Sequence, residues 1–294
     1  MSIVTECMIA NLSIGMWAGQ KLDKEAGRRI TDEAGASQDA GNFNKHIVPK
    51  EVLKPITAAA NALRAHFYQY TLPWKDNGDR LLTRKAYMQF VETYEELHRA
   101  FLDAVEQFVA VDYPTAYAKA EFRMGDLFDP NDYPSANSLR RRFYVQLDID
   151  GVTTANDFRV EMDETERAKI TARIEEALGQ RIAGAMSDVW ARLADTLRHL
   201  QSKLGTKADG KPEVFRDSTV TNLEEIVALL PALNVTNDPA LERVRADIEA
   251  TIIGYSPKQL RNDETVRTSV NEDAARILED MAGLMNAFGK GDEA

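Results

Sequence analysis

The sequence predicts a mainly α-helical protein: an elongated antiparallel bundle of long, coiled-coil-like helices carrying one small antiparallel β element. Three observations predict it. From Asp163 to Leu204 there is no proline, and Ile170, Ile174, Leu178, Ile182, Ala185, Val189, Leu193, Leu197, Leu200 and Leu204 recur at steps of mostly four, the spacing of one helix face. At 1.5 Å rise per residue that stretch makes a rod of roughly 60 Å. A second face runs through Tyr87, Tyr94, Phe101 and Phe108 at seven-residue intervals, with Val91, His98 and Val105 in the alternate position. The helical period is lost around residues 8–17, 143–149 and 156–162, which read as the three strands of the β element.

Taken in order, Leu12, Ile14 and Met16 alternate with Ser13, Gly15 and Trp17 as a half-buried strand does, and residues 31–46, rich in Gly, Ala, Asp and Asn, read as a loop. Pro49 opens a helix near residue 50 that reaches about Tyr70 and is closed by Leu72-Pro73. The turn Asp76-Asn-Gly78-Asp leads into a second helix from about Thr83 to Ala110, and a shorter helical piece covers Pro114 to Met124. Phe143 to Ile149 and Asn156 to Met162 flank Asp150-Gly151 as a hairpin, with Phe143, Val145, Leu147 and Ile149 on its buried face. Beyond it, helices are expected near 163–204, 219–231, 238–254 and 264–287. Their starts are marked by Asp163 with Glu166, Thr221 with Glu224, Asp238-Pro239, Ser256-Pro257 and Ser269 with Glu272, each able to satisfy free backbone N–H groups. Gly179 and Gly184 inside the rod each cost about 1 kcal/mol relative to Ala, which points to close helix approach or local flexibility. The pattern divides the chain into an N-terminal region, 1–162, and a long-helix bundle, 163–294.

Charge narrows the function classes. The 294 residues carry 36 Lys plus Arg against 47 Asp plus Glu, a net −11, which weighs against wholesale coating of nucleic acid or of an anionic membrane. Residues 1–73 hold 8 basic and 7 acidic side chains and residues 161–294 hold 17 and 25, so an anionic partner would meet the first half. The single cysteine, Cys7, allows no intrachain disulfide and sits in an apolar stretch as a buried thiol. The N-terminus lacks the basic segment of a secretory signal, and no apolar run approaches the roughly 20 residues of a membrane span.

Three motifs invite a chemical reading. Gly205-Thr-Lys-Ala-Asp-Gly210-Lys211 has phosphate-loop spacing, but Pro212 stands where a hydroxyl must bind Mg²⁺ and a helix precedes it, so a connector is expected. Gln146, Asp148, Asp150 and Gly151 followed by Asp157 imitate a calcium loop, yet the first and last ligands are wrong and the flanks read as strands. Arg140, Arg141, Arg142 and Phe143 concentrate positive charge beside an aromatic ring, a combination that suits phosphate and stacked bases in single-stranded nucleic acid. The competing reading is a surface salt-bridge cluster with Asp126, Asp129 and Asp132. The aromatic seam of residues 87–108 is likewise either a base-stacking platform or a bundle core, and core is the expectation, with His98 hydrogen-bonded inside it. His46, His66, His98 and His199 show no metal-ligand spacing, and no catalytic residue, metal or cofactor is predicted.

Asn11-Leu-Ser-Ile-Gly-Met-Trp17-Ala-Gly19-Gln-Lys21, the Pro55 helix, Phe143-Tyr-Val, Trp190-x-Arg-Leu193 and Phe215-Arg-Asp-Ser218 resemble a family of uncharacterised phage and mobile-element proteins. That family is often encoded beside a MoxR-type AAA+ ATPase and a protein with a von Willebrand factor A domain. The resemblance implies a cytoplasmic life in a bacterial host and work alongside an AAA+ machine, and it carries no active site over to this chain. The expectation is therefore a non-enzymatic structural or adaptor protein whose partner is such an ATPase or a second copy of the chain. The alternative is a single-stranded nucleic-acid-binding accessory of phage recombination.

Overall fold

A computed structural model describes residues 3–157, 160, 163–205 and 213–289. The chain is mainly helical, 69%, with a four-stranded antiparallel sheet and a small two-stranded one. A single turn, α1 (Ile3–Glu6), enters β1 (Cys7–Gly15). The short strand β2 (Gln20–Leu22), helix α2 (Lys24–Glu33) and β3 (Asn44–His46) follow. A 3-10 turn at Lys50–Leu53 then opens α3 (Lys54–Tyr70). The hairpin β4 (Thr71–Pro73) and β5 (Arg80–Thr83) precedes α4 (Arg84–Gln107). A π-helical turn, Phe108–Asp112, leads into α5 (Tyr113–Ala118) and α6 (Ala120–Met124), with α7 (Ala136–Arg140) and β6 (Tyr144–Gly151) after them. The rest is helical: α8 (Glu164–Leu204), α9 (Asp217–Leu233), α10 (Pro239–Thr251), α11 (Pro257–Asn262) and α12 (Glu264–Gly289).

The long helices stand close to their expected bounds, and the β element does not. The four-stranded sheet has the order β4-β5-β1-β6, with Cys7 opposite Thr83 and Thr71 opposite Leu82. The helix α3 ends at Tyr70 as expected, but Leu72-Pro73 beyond it lies in a strand, and the Asp76–Asp79 turn joins two strands, Gly78 taking φ 95°. Strands of three and four residues are too short to show a period, and Leu72, Leu81 and Leu82 are all wholly buried. The predicted hairpin is also replaced. β6 continues through Asp150-Gly151, and Ala155–Asp157 is a 3-10 turn in which Asp157 accepts hydrogen bonds from the Thr154 amide and hydroxyl at 2.8 and 2.9 Å. The expected strand beyond Asp157 falls largely outside the described residues, as do residues 206–212 of the phosphate-loop lookalike.

The loop expected at 31–46 begins inside α2, whose N-cap Asp23 accepts from the Ala26 amide at 2.9 Å, and ends in the β2–β3 ladder. Gly19, immediately before β2, has φ +66°, and a Cβ there would lie 2.8 Å from a Val48 methyl, so glycine suits the position. Caps predicted at Asp163, Asp238 and Ser256 all accept backbone N–H bonds, Ser256 with Gln259 as a full capping box. Two others move. Thr221 lies inside α9 and bonds back to the Asp217 carbonyl, and Ser269 is interior to α12, which is capped instead by Asp263.

By compactness the chain forms two units: Met1–Ala10, Tyr70–Met88 and Ile149–Ala294, and Asn11–Gln69 with Gln89–Asp148. These interleave along the chain. The first unit has its core between α8, α9, α10 and α12, where Val189, Leu193, Leu197, Leu223, Leu230, Leu241, Ile248, Val270 and Ile277 are at most 1% exposed. The second unit is built on aromatic rings. Phe101 and Phe108 are wholly buried, Phe90 stacks on His66 at 5.1 Å, and Trp17 meets Phe108 at 6.1 Å. Of the seam, Tyr94, Phe101, Val105 and Phe108 are core, whereas Tyr87 and Val91 are half-buried. His98 is only half-buried against Tyr94, and the hydrogen-bonded core histidine is His66, whose Nε2 lies 2.8 Å from the Phe90 carbonyl. A carbonyl only accepts, so Nε2 carries the proton. No helix of the described residues is long and apolar enough to cross a membrane.

Candidate functional site

The basic triplet lies in the second unit at the end of α7, a helix capped by Ser135 and anchored by the wholly buried Leu139. Arg140, Arg141 and Arg142 are all exposed. Arg140 forks onto Glu106, Nε to Oε2 at 3.0 Å and Nη2 to Oε1 at 2.8 Å, and its hydrogen bonds hold the Glu106 carboxyl below the usual carboxylate range. The partner is Glu106, from the last turn of α4, and not Asp126, Asp129 or Asp132. Asp129 is spent on the Asn131 amide and side chain. Arg141 and Arg142 make no ion pair among the described residues. Phe143 is 6% exposed and turns its edge onto Phe108 at 5.8 Å. Beyond it β6 keeps the alternation only in part: Val145 and Leu147 are half-buried and Ile149 is 40% exposed.

Asp132 belongs to a cluster that the sequence did not single out. Lys45 is 7% exposed, and its ammonium meets Asp132 at 2.7 Å, Asp23 at 3.0 Å and the Leu127 carbonyl at 2.9 Å, which uses all three of its donors. Lys21 reaches the other oxygen of Asp132 at 3.2 Å. Burial alone would push Lys45 down and Asp132 up, but their mutual hydrogen bonds outweigh it, so Lys45 stays charged and Asp132 stays ionised. These charges satisfy one another and clip the β2–β3 ladder to the 3-10 turn Pro130–Asp132. Residue spacing could not show this, because Lys45 and Asp132 are 87 positions apart.

The calcium-like residues are engaged locally: Gln146 donates to both oxygens of Asp148, and Asp157 caps its own turn. Cys7, 7% exposed, has its thiol pushed up to about 11 by burial, with Glu6 adding to the shift.

The remaining feature is a gradient along α8 in the first unit. Ala185, Met186, Val189, Trp190, Leu193, Ala194, Leu197, Leu200 and Leu204 are buried. Ile170, Ile174, Leu178 and Ile182 continue the same face toward the N-terminus and are only half-buried. Gly179 and Gly184 flank this half, and a Cβ built on either meets nothing within 4 Å, so no neighbouring helix requires them to be glycine. The arrangement can hold an apolar surface.

No family model matches the chain, and no curated protein or solved structure matches it either.

Proposed function

We propose that this chain is a non-enzymatic structural or adaptor protein of a phage or mobile element, built on an antiparallel bundle of long helices and acting beside an AAA+ ATPase. The observation that carries the reading is the half-buried apolar face of α8 ahead of Ala185. Four large aliphatic side chains at helical spacing retain wet surface there, and covering such a stripe with a partner helix gains roughly 25 cal/mol for each Å² removed from water. The choice of the ATPase as the partner rests on the resemblance of short sequence motifs to the phage family, with a second copy of the chain as the other occupant. Replacing Ile174 by Glu places a charge on the stripe without touching the buried half. That change is expected to weaken association with the ATPase or with itself by at least about tenfold, while circular dichroism is unchanged. Association that survives Ile174→Glu intact contradicts the reading.

A second reading has one observation in its favour. Arg141 and Arg142 are exposed and make no ion pair among the described residues, which leaves them available to phosphates of single-stranded nucleic acid. Phe143, being buried against Phe108, is in no position to stack on a base without leaving the core.

A further inference from the structure

The segment 108–124 of the second unit has two opposite faces. Val109, Tyr113, Ala116 and Ala120, at steps of four, three and four, are buried in the unit. Val111, Thr115, Ala118 and Phe122 repeat those steps two residues further on, about 200° around the helix, and all four are exposed. Hydrogen bonds hold this outer row in line. Thr115 donates its hydroxyl to the Val111 carbonyl at 2.7 Å, across the end of the π-helical turn. The Arg123 amide donates to the Lys119 carbonyl at 3.1 Å, across the break between α5 and α6. The Arg123 side chain ties the far end to the His46 carbonyl at 2.6 Å.

Phe122 is 97% exposed and Val111 50%. A phenyl ring standing in water at the end of this row adds nothing to the packing of the unit, whose contacts are made by the other face. Asp112 and Lys119 stand beside the row, seven residues apart and so on the same flank. Neither side chain makes an ion pair or hydrogen bond among the described residues.

We propose that this face binds a second copy of the chain, the two segments crossing antiparallel about a two-fold axis. Steps of four, three and four read the same from either end. An antiparallel copy therefore sets Phe122 on Val111 of its mate and Thr115 on Ala118, each contact made twice. The small residues meet at the crossing, where the backbones approach, and the larger ones fill the space where the helices diverge. Antiparallel helices bring like flanks together, so Lys119 reaches Asp112 of the other copy and two symmetric ion pairs form. Glu121 lies on the other flank, opposite Pro114 of the second copy, and meets no acid there. A second copy is thus the partner whose charges this surface already matches. Four residues a side bury less than a stable dimer needs, so the pair is weak, with a dissociation constant of about 0.1–1 mM. At low-micromolar concentration, where docking at the α8 face is measured, this contact is open, and either surface can fail without the other. It closes when copies are gathered on a common partner, where the effective concentration reaches about 1 mM.

The test is sedimentation equilibrium of the full chain from about 10 µM to about 1 mM. The weight-average mass is expected to rise from monomer toward dimer over that range. Phe122→Asp, at a position in open solvent, is expected to keep the wild-type melting temperature and to stay monomeric throughout. Asp112→Lys and Lys119→Asp each set like charges together at two places and are expected to weaken association by about three- to tenfold. The double exchange recreates both ion pairs with their signs reversed and is expected to restore association to within about twofold of wild type. A wild-type chain that is monomeric at the highest concentration overturns the proposal. So does a dimer that persists in the folded Phe122→Asp variant, or a double exchange that associates no more tightly than the two single variants.

Discussion

Leu193→Ala and Ile174→Ala form a matched pair on one face of one helix, and their difference measures the burial gradient of α8. Each substitution removes three carbons. Leu193 is 0% exposed in the core of the first unit, so about 0.8 kcal/mol per carbon gives roughly 2.4 kcal/mol of lost transfer energy, and the cavity raises the total to about 3–5 kcal/mol. Ile174 is half-buried, so water refills the space and no cavity remains. About half the transfer term is lost, and the better helix propensity of alanine returns a few tenths, leaving about 1 kcal/mol or less. Urea unfolding read by circular dichroism and tryptophan fluorescence supplies the numbers, since Trp74 and Trp190 report on the first unit and Trp17 on the second. The midpoint of the first unit is expected to drop sharply for Leu193→Ala and barely for Ile174→Ala, with slopes unchanged. Equal losses would refute the gradient, because Ile174 would then be as deeply packed as Leu193.

Other perturbations probe the same structure. Gly179→Ala with Gly184→Ala is expected to raise stability by about 1–2 kcal/mol, the helix-propensity gain at two sites with open space around them, and thermal melts check it. Lys45→Met leaves Asp23 without its cation and Asp132 with Lys21 alone, and is expected to cost about 3–5 kcal/mol, read as a lower melting temperature of the second unit. His66 has its pKa pushed down by burial, the Phe90 carbonyl opposing only in part. The unfolded chain therefore binds the proton more tightly, and the stability His66 contributes is present above its unfolded value of about 6.5 and lost as pH falls through the folded one. His66→Gln keeps a donor for the Phe90 carbonyl and cannot titrate, so it is expected to flatten the stability profile below about pH 6.5. Phe143→Ala removes a ring packed on Phe108 and is expected to destabilise the second unit by about 3–5 kcal/mol, measured by urea titration.

What the sequence made legible follows from what local spacing can encode. A 41-residue helix announces itself through ten apolar residues on one face, and Asp163, Asp238 and Ser256 mark starts because a cap acts within four residues. The aromatic seam reads as core for the same reason, which holds for Tyr94, Phe101, Val105 and Phe108 and not for the half-buried Tyr87, Val91 and His98. Thr221 and Ser269 mislead because a capping-box pattern fits equally well inside a helix already begun by Asp217 or capped by Asp263. The strands at 71–73 and 80–83 pair with each other, but neither is long enough to alternate, and the further partner of 80–83, residues 7–10, is some 70 positions away, so both are invisible in the sequence. The Lys45 clip is hidden likewise, since it assembles residues from separate elements. Arg140 shows the limit in reverse: the triplet is plain in the sequence, but its partner Glu106 is 34 positions upstream and nearer acids divert the eye.

The central claim, that the half-buried face of α8 docks a protein, is tested most directly by light scattering on the full chain and on Ile170→Glu/Ile174→Glu. Each is measured alone and mixed with a MoxR-type AAA+ ATPase in the presence of ATP. The account predicts that the wild-type chain exceeds its monomer mass in at least one of these conditions, and that the double variant, folded by circular dichroism, returns to the monomer in both. A wild-type chain that stays monomeric in both conditions would contradict the claim, as would a double variant that assembles as well as wild type.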